Sequence, residues 1–401
     1  MCANGQARRG TRVETNVWLV AAAWMALALA ASLISIRVGV SVALIEILIG
    51  IAAGNVLGLH SAPWIDFLAT FGAGLLTFLA GAEIEPDALK RHLKPALVIG
   101  LASFSAPFVL AFAFAYWVAG WSLHASEIAG IALSTTSVAV VYATMIESGL
   151  NRTELGKLIL AACFITDFGT VLALGVLFAN FNVWMLLFVA VTAVVLWFLP
   201  RLTRLVIARA GHRVSEPEVK FVFLVLFGLG GLARLAQSEA VLPAYLVGLV
   251  IAGVFVRDRI LMDRMRAIAF TMLTPFYFIK AGLLVSLPAV ASGALLILAF
   301  LGVKMAAKIA GVLPLTRRFR FERREGMYTT LLMATGLTFG TISALFGLTN
   351  HVISQAQYTI LVTDVIGSAV VPTLIAQRWF EPATPAPADA GGPGSREGAT
   401  D

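Results

Sequence analysis

The chain has 401 residues, 59% hydrophobic and only 13% charged, against about 25% charged in an average soluble domain. Its apolar residues form long blocks from residue 17 to residue 377; a water-soluble core could not shelter so many, whereas a bilayer takes one span per stretch of about 20 residues. The net charge of +7 does not indicate nucleic acid, because the basic residues lie in short connections between apolar blocks, with no basic face or aromatic platform.

Hydropathy predicts an extramembrane segment over residues 1–15, a transmembrane domain over 16–378 and a disordered cytoplasmic tail over 379–401, where Pro, Ala and Gly prevail. Arg8, Arg9 and Arg12 precede the first apolar block, but its run from Asn16 to Ile36 is too long for a signal peptide, and more spans follow. Thirteen spans are expected, at roughly 16–36, 38–58, 64–82, 95–119, 125–147, 154–180, 182–200, 219–237, 240–256, 264–287, 289–313, 326–348 and 356–378. Cys2 and Cys163, one terminal and one mid-membrane, imply no disulfide framework.

The connections carry charge in alternation. Those after spans 3, 5, 7, 9 and 11 hold basic residues (Lys90, Arg91 and Lys94; Arg152; Arg201, Arg204, Arg209 and Arg213; Arg257, Arg259 and Arg264; Arg317, Arg318, Arg320, Arg323 and Arg324), and Arg37 follows span 1. The connections after even-numbered spans hold no Lys or Arg. The positive-inside bias places the odd connections and the C-terminus in the cytoplasm and the N-terminus outside; the N-terminal arginines alone would favour the reverse.

In chain order, span 2 carries a lone carboxylate, Glu46, and span 5 is interrupted by four hydroxyl residues, Ser134, Thr135, Thr136 and Ser137. Such a run can satisfy backbone groups where a helix unwinds, although Ser and Thr often only pack in membrane helices. Asp167 stands at the centre of span 6, with Thr166 beside it, Cys163 one turn before and Thr170 one turn after. A carboxylate at that depth is expensive and marks a functional site ahead of a merely structural one. Gly228, Gly230 and Gly231 in span 8 suit close helix packing and form no nucleotide loop. The intramembrane cations are Arg234, Lys280, Lys304 and Lys308; for the lysines the plain alternative is snorkelling to the basic edge. Span 12 gathers Thr335, Gly336, Thr338, Gly340 and Thr341 at its middle, and span 13 carries Asp364. An interrupted span followed by a span with a central Asp thus occurs twice, seven spans apart, which suggests an inverted-repeat transporter.

The stretches ALSTTSVAVV, AACFITDFGTVLAL, TPFYFIKAGLLVSL, VKMAAKIAG and GLTFGTISALFG, in that order and spacing over about residues 17–378, resemble the bacterial cation:proton antiporter-2 family. That family is related to the Na+/H+ exchangers and to the membrane domain of Kef-type potassium efflux proteins. The resemblance implies an all-α polytopic fold of about 13 helices, with a panel domain, a six-helix core domain and two crossed discontinuous helices corresponding to spans 5 and 12. It implies that Asp167 binds the monovalent cation or the proton, that Lys308 is the charge-compensating lysine, with Lys304 one turn away, and that the protein is a homodimer in the inner (plasma) membrane. In the family the ion-binding Asp follows Asp, Asn or Gln; Thr166 stands there in this chain, so fewer charges are expected to move per cycle than in the two-Asp members.

The expected activity is exchange of Na+ or K+ for protons by alternating access at one buried carboxylate, with no cofactor. Thr166, Ser134 to Ser137, Gly336, Thr338 and unwound carbonyls are the expected further ligands, oxygen donors of the kind hard cations prefer. A sodium-coupled organic solute symporter on a similar scaffold is the alternative, but few polar residues lie outside the cluster to line a solute cavity. A membrane enzyme would want facing nucleophile and base. The five histidines, His60, His92, His124, His212 and His351, all lie in connections or at span ends, and no HExxH occurs.

Overall fold

A computed structural model of the chain describes residues 16–38, 41–84, 91, 93–148, 150, 153–178, 183–211, 213–236 and 241–382. The expected extramembrane segment 1–15, most of the tail beyond 378, and Lys90 and Arg152 lie outside the described residues. The described chain is helical at every predicted span: α1 Val17–Val38, α2 Val42–Val56, α3 Pro63–Ala82, α4 Leu93–Ala113, α5 Leu123–Ser134, α6 Val138–Glu147, α7 Glu154–Leu177 and α8 Val183–Ala210. There follow α9 Pro217–Leu235, α10 Val241–Arg257, α11 Arg259–Ile268, α12 Thr274–Leu283, α13 Leu287–Arg318, α14 Arg323–Met333, α15 Thr338–Thr349 and α16 Gln355–Trp379.

Among the described residues, eight helical segments are long and apolar enough to cross a bilayer. The outermost helices leave large apolar side chains outward, among them Trp18 on α1, Leu186 on α8 and Leu295 on α13. In water such a surface would be an association hazard; in lipid it is the solvent contact.

Several helices outrun their predicted spans. α8 continues to Ala210 and α13 to Arg318, so Arg201, Arg204, Arg209 and Arg317 ride on helix ends instead of loops, where basic side chains suit the carbonyl end of the helix dipole. The connection after span 9 is also helical. Asp258 accepts a bond from Leu261 N at 3.1 Å and so caps α11. A π-helical turn, Ala269–Leu273, then joins α11 to α12, whose first turn contains Pro275; a proline there lacks a donor that the first turn does not need.

The helices sort into two groups. In one, α2 and α3 pack on α12, α3 on α10, and α8 on α9 and α10. In the other, α4 packs on α5, α7 and α13, while α16 packs on α13, α14 and α15. These match the expected panel and six-helix core. Within the panel the closest crossing is between α3 and α10: a Cβ on Gly81 would meet Tyr245 O, and one on Gly248 would meet Phe78 O and, at 2.8 Å, Ala82 N. Small residues let membrane helices approach at backbone distance. Gly248→Ala is therefore expected to destabilise the protein by about 1–3 kcal/mol through overpacking, read as a lowered Tm in detergent. Gly253→Ala on the same helix, where a Cβ meets open space, is expected to leave Tm unchanged. Gly228 and Gly231 of α9 do not serve the packing expected of them, since a Cβ on either also meets open space.

Candidate functional site: two helix breaks and two lysines

Two core helices break in mid-course. The first passage stops at Ser134 and resumes at Val138; the second stops at Met333 and resumes at Thr338. Each break exposes backbone groups that a continuous helix would satisfy, and the residues between them supply partners. Ser134 Oγ donates to Ile131 O at 2.8 Å, Thr135 Oγ1 to Ala132 O at 3.0 Å and Thr335 Oγ1 to Leu332 O at 2.7 Å. The breaks also bond to each other. Ser137 N donates to Thr335 O at 2.9 Å, and Thr136 Oγ1 donates to Met333 O at 2.8 Å. The two discontinuous helices thus meet break to break, and α5 packs along α15, where a Cβ on Gly340 would lie 2.9 Å from Ala132 O.

α13 runs past both breaks and presents a fully buried lysine to each. Lys308 Nζ donates to Ser134 O at 2.8 Å and Ser103 Oγ at 2.8 Å, with Thr136 Oγ1 at 3.2 Å and Thr135 O at 3.5 Å. Its charge therefore sits on the carbonyl end of α5, the negative end of that half-helix dipole. Lys304 Nζ donates to Ser368 Oγ on α16 at 2.7 Å, and a Cβ on Gly336 would fall 2.5 Å from that nitrogen. A side chain at position 336 would have to displace the ammonium. Neither lysine snorkels. Lys280 does reach an edge, but the edge opposite the basic one, where Nζ pairs with Asp66 Oδ1 at 2.7 Å. Arg234 is exposed in the last turn of α9.

Asp167 is 2% exposed on α7 and its Oδ1 has no hydrogen-bond partner. It lies within electrostatic reach of Lys308 without bonding to it. Such a carboxylate has a counter-charge nearby and an oxygen still vacant. Thr166 turns elsewhere: its hydroxyl donates to Gly100 O of α4 at 3.2 Å and to Ala162 O at 3.1 Å, joining α7 to α4. Thr338 stands half-buried at the start of α15. The hydrophobic neighbours of Asp167 on α7 are tied down as well: Tyr245 of the panel donates to Phe164 O at 3.1 Å, and Cys163 Sγ lies 3.7 Å from Met333 Sδ at the second break. Glu46 is buried in the panel on α2, with Oε2 unpartnered.

Sequence reading alone missed Ser103 and Ser368, the hydroxyls that receive the two lysines. Pro107 follows Ser103 by one turn on α4, and a proline loosens the helix at the residue four before it; that spacing was the available signal.

The model of the sodium/hydrogen exchanger transmembrane family matches residues 24–381. The chain belongs to that family. The Na(+)/H(+) antiporter of Enterococcus hirae is 24% identical over 363 residues, covering 85% of this chain and 92% of the relative. The Na(+)/H(+)-K(+) antiporter GerN of Bacillus cereus is 23% identical over 351 residues, covering 84% and 89%. The sodium proton antiporter MjNhaP1 of Methanocaldococcus jannaschii has the same fold, with a TM-score of 0.68, 16% identity, and coverage of 90% of this chain and 99% of that one.

Proposed function

We propose that this protein is a secondary active transporter that exchanges a monovalent cation, Na+ or K+, for protons at Asp167. The observation that carries this reading is a buried carboxylate with an unpartnered oxygen, set in a core whose two broken helices are each covered by a lysine. A carboxylate held out of water is stabilised by a proton or by a cation, and the two exclude each other on the same oxygens. That competition makes the process an exchange. Ser103, Thr136 and the break carbonyls already hold Lys308, so the cation takes Asp167 with carbonyl or hydroxyl oxygens freed as the core moves against the panel. Thr166 positions α7 against α4 and is not needed as a direct ligand.

The same reading places the protein in the cell inner (plasma) membrane as a homodimer, with its N-terminus outside and its C-terminus in the cytoplasm. The alternation of basic connections supports the orientation.

The test is a pH-dye dequenching assay in proteoliposomes with Na+, K+ and Li+ added in turn. Saturable proton efflux on adding at least one of them is expected, with the apparent affinity for the cation falling as protons are added and the maximal rate retained. No response to any of the three, from protein shown to be folded, overturns the reading.

A further inference from the structure

Asp364 repeats the situation of Asp167 in the other half of the core. It lies on α16, the helix after the second break, as Asp167 lies on α7, the helix after the first. It is fully buried, and neither Oδ1 nor Oδ2 has a hydrogen-bond partner. Lys304 is within electrostatic reach, but its nitrogen bonds one turn away on the same helix, to Ser368. Among the described residues of the packed neighbours α5, α6, α13, α14 and α15, Lys304 is the charged group acting on Asp364. Lys308, one turn further along α13, in turn faces Lys304, so the two carboxylates are connected through two adjacent lysines.

A carboxylate whose only role was to neutralise Lys304 would be expected to accept its hydrogen bond, since a buried ion pair needs close geometry to offset desolvation. Here the lysine bonds elsewhere and both carboxylate oxygens stay vacant. We propose that Asp364, opposite Lys304, is a second proton-binding site of the core, which takes up one proton from water on one side and returns it on the other in each cycle. The pair alternates between carboxylate with ammonium and carboxylic acid with ammonium, so one proton enters and one leaves. This rests on the exchange proposed at Asp167 and supplies a second proton, which the first site lacks because position 166 holds Thr where some members of the family hold a second Asp. The expected stoichiometry is two protons per cation.

The experiment is the proton-to-cation ratio in proteoliposomes with the membrane potential clamped at zero, from the opposing cation and pH gradients at which net flux vanishes. Wild type is expected to give two to one. Asp364→Asn is expected to give one to one at a reduced rate, and so is Asp364→Asn with Lys304→Gln, which leaves no uncompensated buried ammonium should the single variant fold poorly. Wild-type flux that reverses at one to one, or a ratio unchanged in the variants, overturns the second site while leaving exchange at Asp167 intact. Absence of any cation-driven proton flux in wild type is instead the failure of the exchange reading. An independent reading that needs neither Asp364 variant is infrared difference spectroscopy across a pH titration of Asp167→Asn combined with Glu46→Gln, which removes the other two buried carboxyls left with an unpartnered oxygen in the transmembrane helices α2 and α7. A buried carboxylic acid band that appears and disappears is expected from Asp364; no such band overturns the proposal.

Discussion

Asp167→Asn is expected to abolish cation-driven proton flux in proteoliposomes while leaving the protein folded. The amide has nearly the volume of the carboxylate, so α7 keeps its contacts with Tyr245 through Phe164 O and with Met333 through Cys163. What is lost is the group that can hold either a proton or a cation. An amide offers a cation one neutral oxygen and cannot release a proton to it. The fold is expected to hold, because Asp167 Oδ1 makes no hydrogen bond to lose and Lys308 keeps its own bonds to Ser103 Oγ and Ser134 O. The measurement pairs dye dequenching with thermal unfolding in detergent. A cooperative unfolding transition close to that of wild type, together with flux reduced to the empty-vesicle level, is the expected result. Full proton-coupled flux in this variant would refute Asp167 as the exchange site.

The parts of this molecule legible in its sequence are those set by local chemistry along one chain segment. Span positions follow from uninterrupted apolar runs, and the helices appear at each of them because lipid leaves the backbone no other partner than itself. The two breaks were legible because hydroxyls and glycines concentrate there. Residues Ser134 to Ser137 and Thr335 to Thr341 mark the places where α5 stops and α15 starts. Asp167 stood out because charge at mid-span is rare.

What was not legible depends on the direction of side chains between helices. Thr166 and Asp167 are neighbours in sequence, yet successive helix positions point about 100° apart, and Thr166 bonds to α4 while Asp167 is left unpartnered. Lys304 and Lys308 share a face of α13, but which break each serves depends on how α13 crosses them. Hydropathy could not separate a snorkelling lysine from one bonded at mid-core; the 0% exposure of both decides it. Lys280 resembles them in sequence and ends at the opposite edge, on Asp66. The extra length of α8 and α13 was hidden because arginines end an apolar run without ending a helix.

Lys308→Met is expected to be the most destabilising substitution in the core. It removes the donor from Ser134 O, Ser103 Oγ and Thr136 Oγ1 at once, and the carbonyl end of α5 is left buried without a counter-charge. Breaking a buried charged network from one side typically costs about 3–5 kcal/mol, so a large fall in Tm and loss of exchange are expected. Lys308→Gln separates fold from function, because its amide can still donate to the break while carrying no charge. A positive charge near Asp167 favours the ionised carboxylate; without it the proton is harder to displace. The pH–activity profile of Lys308→Gln is therefore expected to move to higher pH, with a smaller loss of Tm than the methionine variant shows. A profile that coincides with wild type would make Lys308 a support of the α5 break alone, acting on the backbone and not on the carboxylate.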